Sequence, residues 1–155
     1  MDNINADIDA NMEKRPIQDV SWDNFNHGAF YIAQCIRQDI KDGKIPPIEG
    51  VIGFSRGGLP LATVLAYALG IKCVYTDEEF GDSTAVEGHY LLVDDISDSG
   101  TTFKKYVPVF TEKVKFTTAA LFMRPGTAFV VDYAAFNAGN NWLNFPWEFD
   151  LDAQP

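Results

Sequence analysis

A chain of 155 residues, 46% hydrophobic and 14% aromatic, has the length of one domain with its own core and is too apolar to remain disordered. Its formal net charge of −10 excludes nucleic acid and anionic membrane as partners of the surface as a whole. Two cysteines, Cys35 and Cys73, exclude a disulfide scaffold and have no metal-ligand spacing; both lie in apolar stretches and read as reduced core residues. With no signal pattern and no apolar run of bilayer length, a cytoplasmic location is the default expectation.

Residues 1–20 are polar, rich in Asn and Asp, and read as a flexible arm ahead of one domain over residues 21–155. Ser21 is a helix N-cap signal. Trp22, Phe25, Ala29, Ile32, Ala33, Ile36 and Ile40 then recur at spacings of three and four, which predicts a helix to about Asp42, stopped by Gly43. Gly50 to Phe54 is a short apolar run and predicts a first strand. It ends in Ser55-Arg56-Gly57-Gly58, followed by a helix over Leu59–Leu69 with Gly70 beyond it. Ile71 to Tyr75 predicts another strand. Thr76 to His89 is polar and acidic and is expected to be a loop at the mouth of a site.

The chain is organised around Tyr90 to Thr102, YLLVDDISDSGTT. An apolar strand ends in two acids, Asp94 and Asp95. Asp98, Ser99, Gly100, Thr101 and Thr102 then form a small-residue turn feeding a helix to about Glu112. Such a turn aims several backbone N–H groups and a helix dipole at one point, which suits a phosphate. Two carboxylates beside it suit ribose hydroxyls or a metal ion. Pro108 should kink or shorten the helix. Lys115–Phe122 and Phe129–Tyr133 predict two further strands. Asn137 to Asn141 is a polar turn, and Trp142 to Glu148 an aromatic close. Strands alternating with helices predict an α/β fold: a mainly parallel sheet with helices on both faces and the ligand at the carboxyl strand ends.

The Tyr90–Thr102 stretch resembles the binding motif for phosphoribosyl pyrophosphate (PRPP) in type I phosphoribosyltransferases. Ser55-Arg56-Gly57-Gly58 resembles that family's pyrophosphate loop, and the resemblance implies a cis or strained peptide at Ser55–Arg56. It narrows, over Trp22 to Glu148, to the xanthine-guanine branch. It implies phosphoribosyl transfer from PRPP to a 6-oxopurine base in purine salvage, with Mg²⁺ as cofactor and a homo-oligomer. On that resemblance Asp94 and Asp95 hold the ribose hydroxyls and the metal. Ser99, Gly100, Thr101 and Thr102 hold the 5′-phosphate, and Ser55, Arg56, Gly57 and Gly58 the pyrophosphate. Asp98, with Arg56, is catalytic; its bland alternative is a helix N-cap. Arg124, Trp142, Leu143 and Glu148 bind the base, Trp142 by stacking and Leu143 through its backbone. Trp147 reads as a hydrophobic plug.

Two departures stand out. Arg124 occupies a position where the family has Lys, and the stretch from Thr76 to His89 is a short hood with five acids and no Lys or Arg. The hood leaves two alternatives to weigh: a non-catalytic nucleotide-binding regulator on the same fold, or transfer to another base.

Overall fold

The computed structural model describes residues 15–82, 87–112 and 114–153. The elements in chain order are β1 (Ile17–Asp19), α1 (Trp22–Lys41), β2 (Gly50–Gly53), α2 (Leu59–Leu69), β3 (Val74–Thr76) and α3 (Asp77–Asp82). They continue with β4 (His89–Ser97), α4 (Thr101–Thr111), β5 (Lys115–Met123), β6 (Tyr133–Asn137) and β7 (Trp142–Asn144). Five strands form one sheet in the order β3-β2-β4-β5-β6, every neighbouring pair parallel. β1 and β7 form a separate parallel pair.

The expected first helix is present with its expected ends. Ser21 and Asn24 form a reciprocal cap: Asn24 N–H donates to Ser21 Oγ at 3.0 Å, and Ser21 N–H donates to Asn24 Oδ1 at 3.1 Å. α1 and α2 cover one sheet face, where Phe25, Ile32, Ile36, Leu61 and Leu65 meet Val51, Leu91, Val93 and Leu121. On the other face Phe80, Phe103 and Phe110 meet Ile52, Leu92 and Ala120. Leu91, Leu92 and Val93 thus serve both faces in turn, as strand alternation requires of a sheet covered on both sides.

Several expectations are corrected. The segment 76–89 is not a continuous loop, because Asp77–Asp82 is a helical turn with Phe80 fully buried. Burial of that ring contributes ~2 kcal/mol toward holding the turn on the sheet. Thr76 and Glu79 cap it reciprocally, Thr76 N–H to Glu79 Oε2 at 2.9 Å and Glu79 N–H to Thr76 Oγ1 at 3.1 Å. The last strand of the sheet begins at Tyr133, not Phe129. Phe129 is apolar because it stacks on Phe103, centroids 5.0 Å apart, and Val131 because it is buried; neither is paired. β3 starts at Val74, three residues after Ile71. α4 runs through Pro108 and ends near the expected residue. Cys73 is exposed, not core. The expected arm over residues 1–20 includes a strand, Ile17–Asp19, and the buried Val20; residues 1–14 lie outside the described residues.

Candidate active site

The strand order turns back between β2 and β4. From β2 the chain goes outward to β3, then returns across β2 to build β4, β5 and β6. The loops after β2 and β4 therefore diverge from neighbouring strand ends, where a crevice opens at the carboxyl edge of such a sheet. Those two loops are Ser55–Gly58 and Asp98–Gly100.

β4 runs further than its apolar part. It pairs with β5 as far as Ser97↔Met123, so Asp94 and Asp95 lie within the strand and not beyond it. The two carboxylates fold back on the chain. Asp94 Oδ1 accepts from Asp95 N–H at 2.9 Å, and Asp95 Oδ1 from Ile96 N–H at 2.8 Å. Burial, reinforced by the neighbouring Asp95 charge, pushes the Asp94 carboxyl up to about 8. Burial also raises Asp95, against the hydrogen bonds it accepts. The pair is thus electrostatically unsatisfied in the ligand-free protein. Among the described residues no group of three or more His, Cys, Asp or Glu could hold a metal ion. Two crowded carboxylates and no third fit Mg²⁺, which is ordinarily held by one or two carboxylates together with substrate phosphates and water.

The glycines after β2 exist for close approach. A Cβ on Gly57 would lie 2.2 Å from Asp95 Oδ2, and one on Gly58 would lie 2.5 Å from Val93 O. The loop is therefore pressed against the acid pair. The Ser55–Arg56 peptide is cis, as the resemblance implied. Arg56 is exposed, and its guanidinium makes no hydrogen bond or ion pair among the described residues. Ser55 N–H donates to Asp77 Oδ1 at 2.9 Å. Asp77 was not among the expected site residues; the Thr-x-x-Glu capping signature at 76–79, which fixes the start of α3, was the signal that could have found it.

Gly100, at φ 83°, caps α4. The helix-cap alternative for Asp98 is therefore overturned. Gly100 has no side chain to cap the first turn, and only a long 3.3 Å bond from Thr101 N–H to Ser99 Oγ competes with an anion for its N–H groups. Ser99 Oγ and Thr101 Oγ1 stand 2.8 Å apart beside them. A hollow of about 230 Å³ here is lined by Asp94 to Phe103.

The β4–β5 register carries Arg124 alongside Asp98. Arg124 N–H donates to Ser97 O at 2.9 Å, one step past Met123. Its buried guanidinium donates from Nε to Asp98 Oδ1 at 2.5 Å, and from Nη1 to the carbonyls of Gly139 and Asn141, both at 3.0 Å. Among the described residues Nη2 is the guanidinium nitrogen left without a hydrogen-bond partner. A second hollow, about 160 Å³, is lined by Asp95, Ile96, Asp98, Arg124, Trp142, Leu143, Phe145 and Glu148. All four expected base-binding residues meet there. Trp142 is 40% exposed, enough of its ring for a ligand to stack on. Glu148 Oε2 accepts from Phe145 N–H at 3.0 Å. Trp147 instead stacks on Phe145 and packs edge-on against Phe25, so the plug reading holds for it.

The two hollows share Asp95, Ile96 and Asp98. Ser55 to Gly58 line neither; they meet the site where Gly57 lies against the Asp95 carboxylate and Gly58 against the backbone of Val93 and Asp94. A larger hollow, about 580 Å³, lies at the opposite end of the sheet around Pro46, His89 and Lys115. Both ring nitrogens of His89 are engaged there, by the Pro46 carbonyl and Thr117 Oγ1. Size favours that hollow, but convergent polar groups favour the smaller pair.

A parallel sheet whose switch point joins an acid pair and phosphate loop to a Gly-Gly loop is the frame of a type I phosphoribosyltransferase. No family model matches the chain. It is 32% identical over 120 residues to a xanthine-guanine phosphoribosyltransferase of Idiomarina loihiensis, covering 66% of this chain and 73% of that protein. It is 29% identical over 147 residues to the enzyme of the same name from Gluconobacter oxydans, covering 83% of each. A purine phosphoribosyltransferase from Pyrococcus horikoshii shares the fold at a TM-score of 0.72 and 22% identity, over 90% of this chain and 99% of that one. The chain belongs to the xanthine-guanine phosphoribosyltransferase family. No helix among the described residues is long and apolar enough to cross a membrane.

The acid pair sets a first expected result. A carboxyl raised in the folded state keeps a proton there that the unfolded chain has released. Wild-type stability therefore falls as pH rises from about 4 to about 8. Asp94→Asn removes the Asp94 share of that slope and should raise the melting temperature at pH 8 by ~2–4 °C or more, while weakening PRPP binding and its response to Mg²⁺. Melting curves across pH and calorimetric titration with PRPP check both. Unchanged PRPP affinity with an unchanged Mg²⁺ response would refute the ribose–metal assignment.

Proposed function

We propose that this protein transfers the phosphoribosyl group of PRPP to a 6-oxopurine base, releasing pyrophosphate and a nucleoside 5′-monophosphate, as a purine-salvage enzyme. The observation that carries this is the pair of hollows meeting at Asp95 and Asp98. One has the groups for a sugar phosphate and the other the groups for a flat base, so the anomeric carbon falls between them.

In this reading the Ser99–Thr102 loop takes the 5′-phosphate with backbone N–H groups and hydroxyls. Asp94 and Asp95 take the ribose hydroxyls and Mg²⁺, which when bound neutralises charge on the departing pyrophosphate. Arg56 and the loop from Ser55 to Gly58 hold that pyrophosphate. As the bond from C1′ to pyrophosphate oxygen breaks, the bond from C1′ to the base nitrogen forms. Asp98 Oδ2, not engaged by Arg124, accepts the proton the base must lose. Trp142 stacks on the base, the Leu143 backbone reads its edge, and Arg124 Nη2 donates to its 6-oxo group. The enzyme is cytoplasmic and self-associates. Exposed Phe30 and Tyr31 on α1 and Tyr67 on α2 support an interface between copies.

A turnover screen with PRPP, Mg²⁺ and four purines tests this. Guanine, hypoxanthine and xanthine should be used. Adenine should be rejected by ~10–100-fold, because its 6-amino group leaves a donor facing a donor. Glu148 accepts from a 2-amino group and repels a 2-oxo group, which ranks guanine above xanthine. Efficient use of adenine would sink the Arg124 assignment, and no turnover with any base would sink the reading.

A further inference from the structure

We infer that β1 is a positioning strand for base recognition, and that Gln18 is its central residue. The inference rests on the base assignment just proposed. β7, which carries Trp142 and Leu143, belongs to no other sheet; β1 is its strand partner among the described residues. The register is Ile17↔Trp142, Gln18↔Leu143 and Asp19↔Asn144. Trp142 N–H donates to Pro16 O and Val20 N–H donates to Asn144 O, both at 2.8 Å. In a parallel ladder of that phase the two central bonds both belong to Gln18, whose N–H serves Trp142 O and whose C=O serves Asn144 N–H. Successive backbone groups point to opposite strand edges, so the N–H and C=O of Leu143 face away from β1, on the edge left for a ligand.

The side chains repeat the pattern. Gln18 Oε1 accepts from Asn141 Nδ2 at 2.9 Å, and Asp19 Oδ1 from Asn144 Nδ2 at 3.0 Å. The Asn141 carbonyl in turn accepts from Arg124 Nη1, and Arg124 Nε donates to Asp98. One hydrogen-bonded line therefore runs from Gln18 through Asn141 and Arg124 to Asp98. It reaches the base hollow at Arg124 and Asp98 and the phosphate loop only at Asp98. Without β1, β7 keeps the burial of Leu143 in the core but loses the strand pairing that sets the direction of its backbone edge.

The test uses Gln18→Pro, which removes the ladder N–H and the side-chain acceptor, and Gln18→Ala, which removes only the acceptor, in the full chain. Gln18→Pro should raise KM for guanine roughly tenfold, with KM for PRPP within about twofold of wild type. Gln18→Ala should move guanine KM less, in the same direction. On the ligand-free protein, Gln18→Pro should speed amide hydrogen exchange over residues 142–145 and leave residues 94–102 unchanged. Parallel rises in both KM values, or unchanged exchange over 142–145, would overturn the inference. A wild type that turns over no purine refutes the proposed activity, and the exchange measurement then still decides whether β1 fixes β7. If Gln18→Pro fails to fold, Gln18→Ala decides through the same KM split.

Discussion

Asp98→Asn should lower turnover by ~10²–10⁴-fold, the usual contribution of a positioned acid or base, while PRPP affinity stays within a few-fold. The carboxylate stands where the two hollows meet. Its Oδ1 is committed to Arg124 Nε, so Oδ2 is the atom that can take a proton from an incoming base. Asn is nearly isosteric and keeps one carbonyl oxygen for Arg124. The clasp can therefore survive while the basic atom is lost, and a fall in kcat then reports chemistry rather than collapse of the pocket. α4 is capped by Gly100, so helix fraying does not offer a second explanation. Steady-state kinetics with saturating PRPP, beside calorimetric PRPP binding, check the result. A kcat within threefold of wild type would reduce Asp98 to a structural partner of Arg124.

How much of this site could be read before the fold was known depends on how local each signal is. The phosphate loop was legible because strand, acids, turn and helix start are consecutive, and each needs its own residue types. The Gly57-Gly58 pair was legible as a close-approach signal, though the carboxylate it approaches was not. The turn at Asp77–Asp82 was missed because five acids mask a single buried ring, Phe80, and a Thr76–Glu79 capping box. β6 was misplaced because Phe129 and Val131 are apolar for packing against α4 and the sheet, which composition cannot distinguish from pairing. β1 was the least legible. Its three residues are all exposed, and it acquires its conformation from Trp142 to Asn144, far along the chain.

The Arg124–Asp98 contact shows the same limit in energetic terms. Each residue had a role assigned separately, toward the base. Their pairing follows only from the β4–β5 register, which sets position 98 beside position 124. That pairing changes what an Arg in place of Lys means. A Lys amine is a single donor centre, whereas the guanidinium spreads its donors around a plane. Here three of them hold Asp98, Gly139 and Asn141, and one nitrogen, Nη2, has no partner among the described residues. The planar group ties the loop after β6 to the loop after β4 and still faces the hollow.

Arg124→Met should therefore have a compound effect. It removes a buried cation and leaves the carbonyls of Gly139 and Asn141 without their donor and Asp98 without its counter-charge. Gly139 is exposed, Asn141 half-buried and the Asp98 carboxylate partly exposed, so water replaces part of each lost bond and the cost of each stays below the ~1–3 kcal/mol of a fully buried acceptor. The variant should melt several degrees lower and lose at least ~10²-fold in kcat/KM for guanine. Discrimination against adenine should fall with it, because the donor that opposes a 6-amino group is gone. Arg124→Lys separates the two contributions. One ammonium can reach Asp98 or a 6-oxo group but cannot also satisfy both carbonyls, so stability should fall while preference for 6-oxopurines is retained. Competition assays with guanine and adenine, paired with thermal melts of both variants, decide the matter. Unchanged base preference in Arg124→Met, with the expected loss of stability, would make Arg124 a clasp between loops and nothing more.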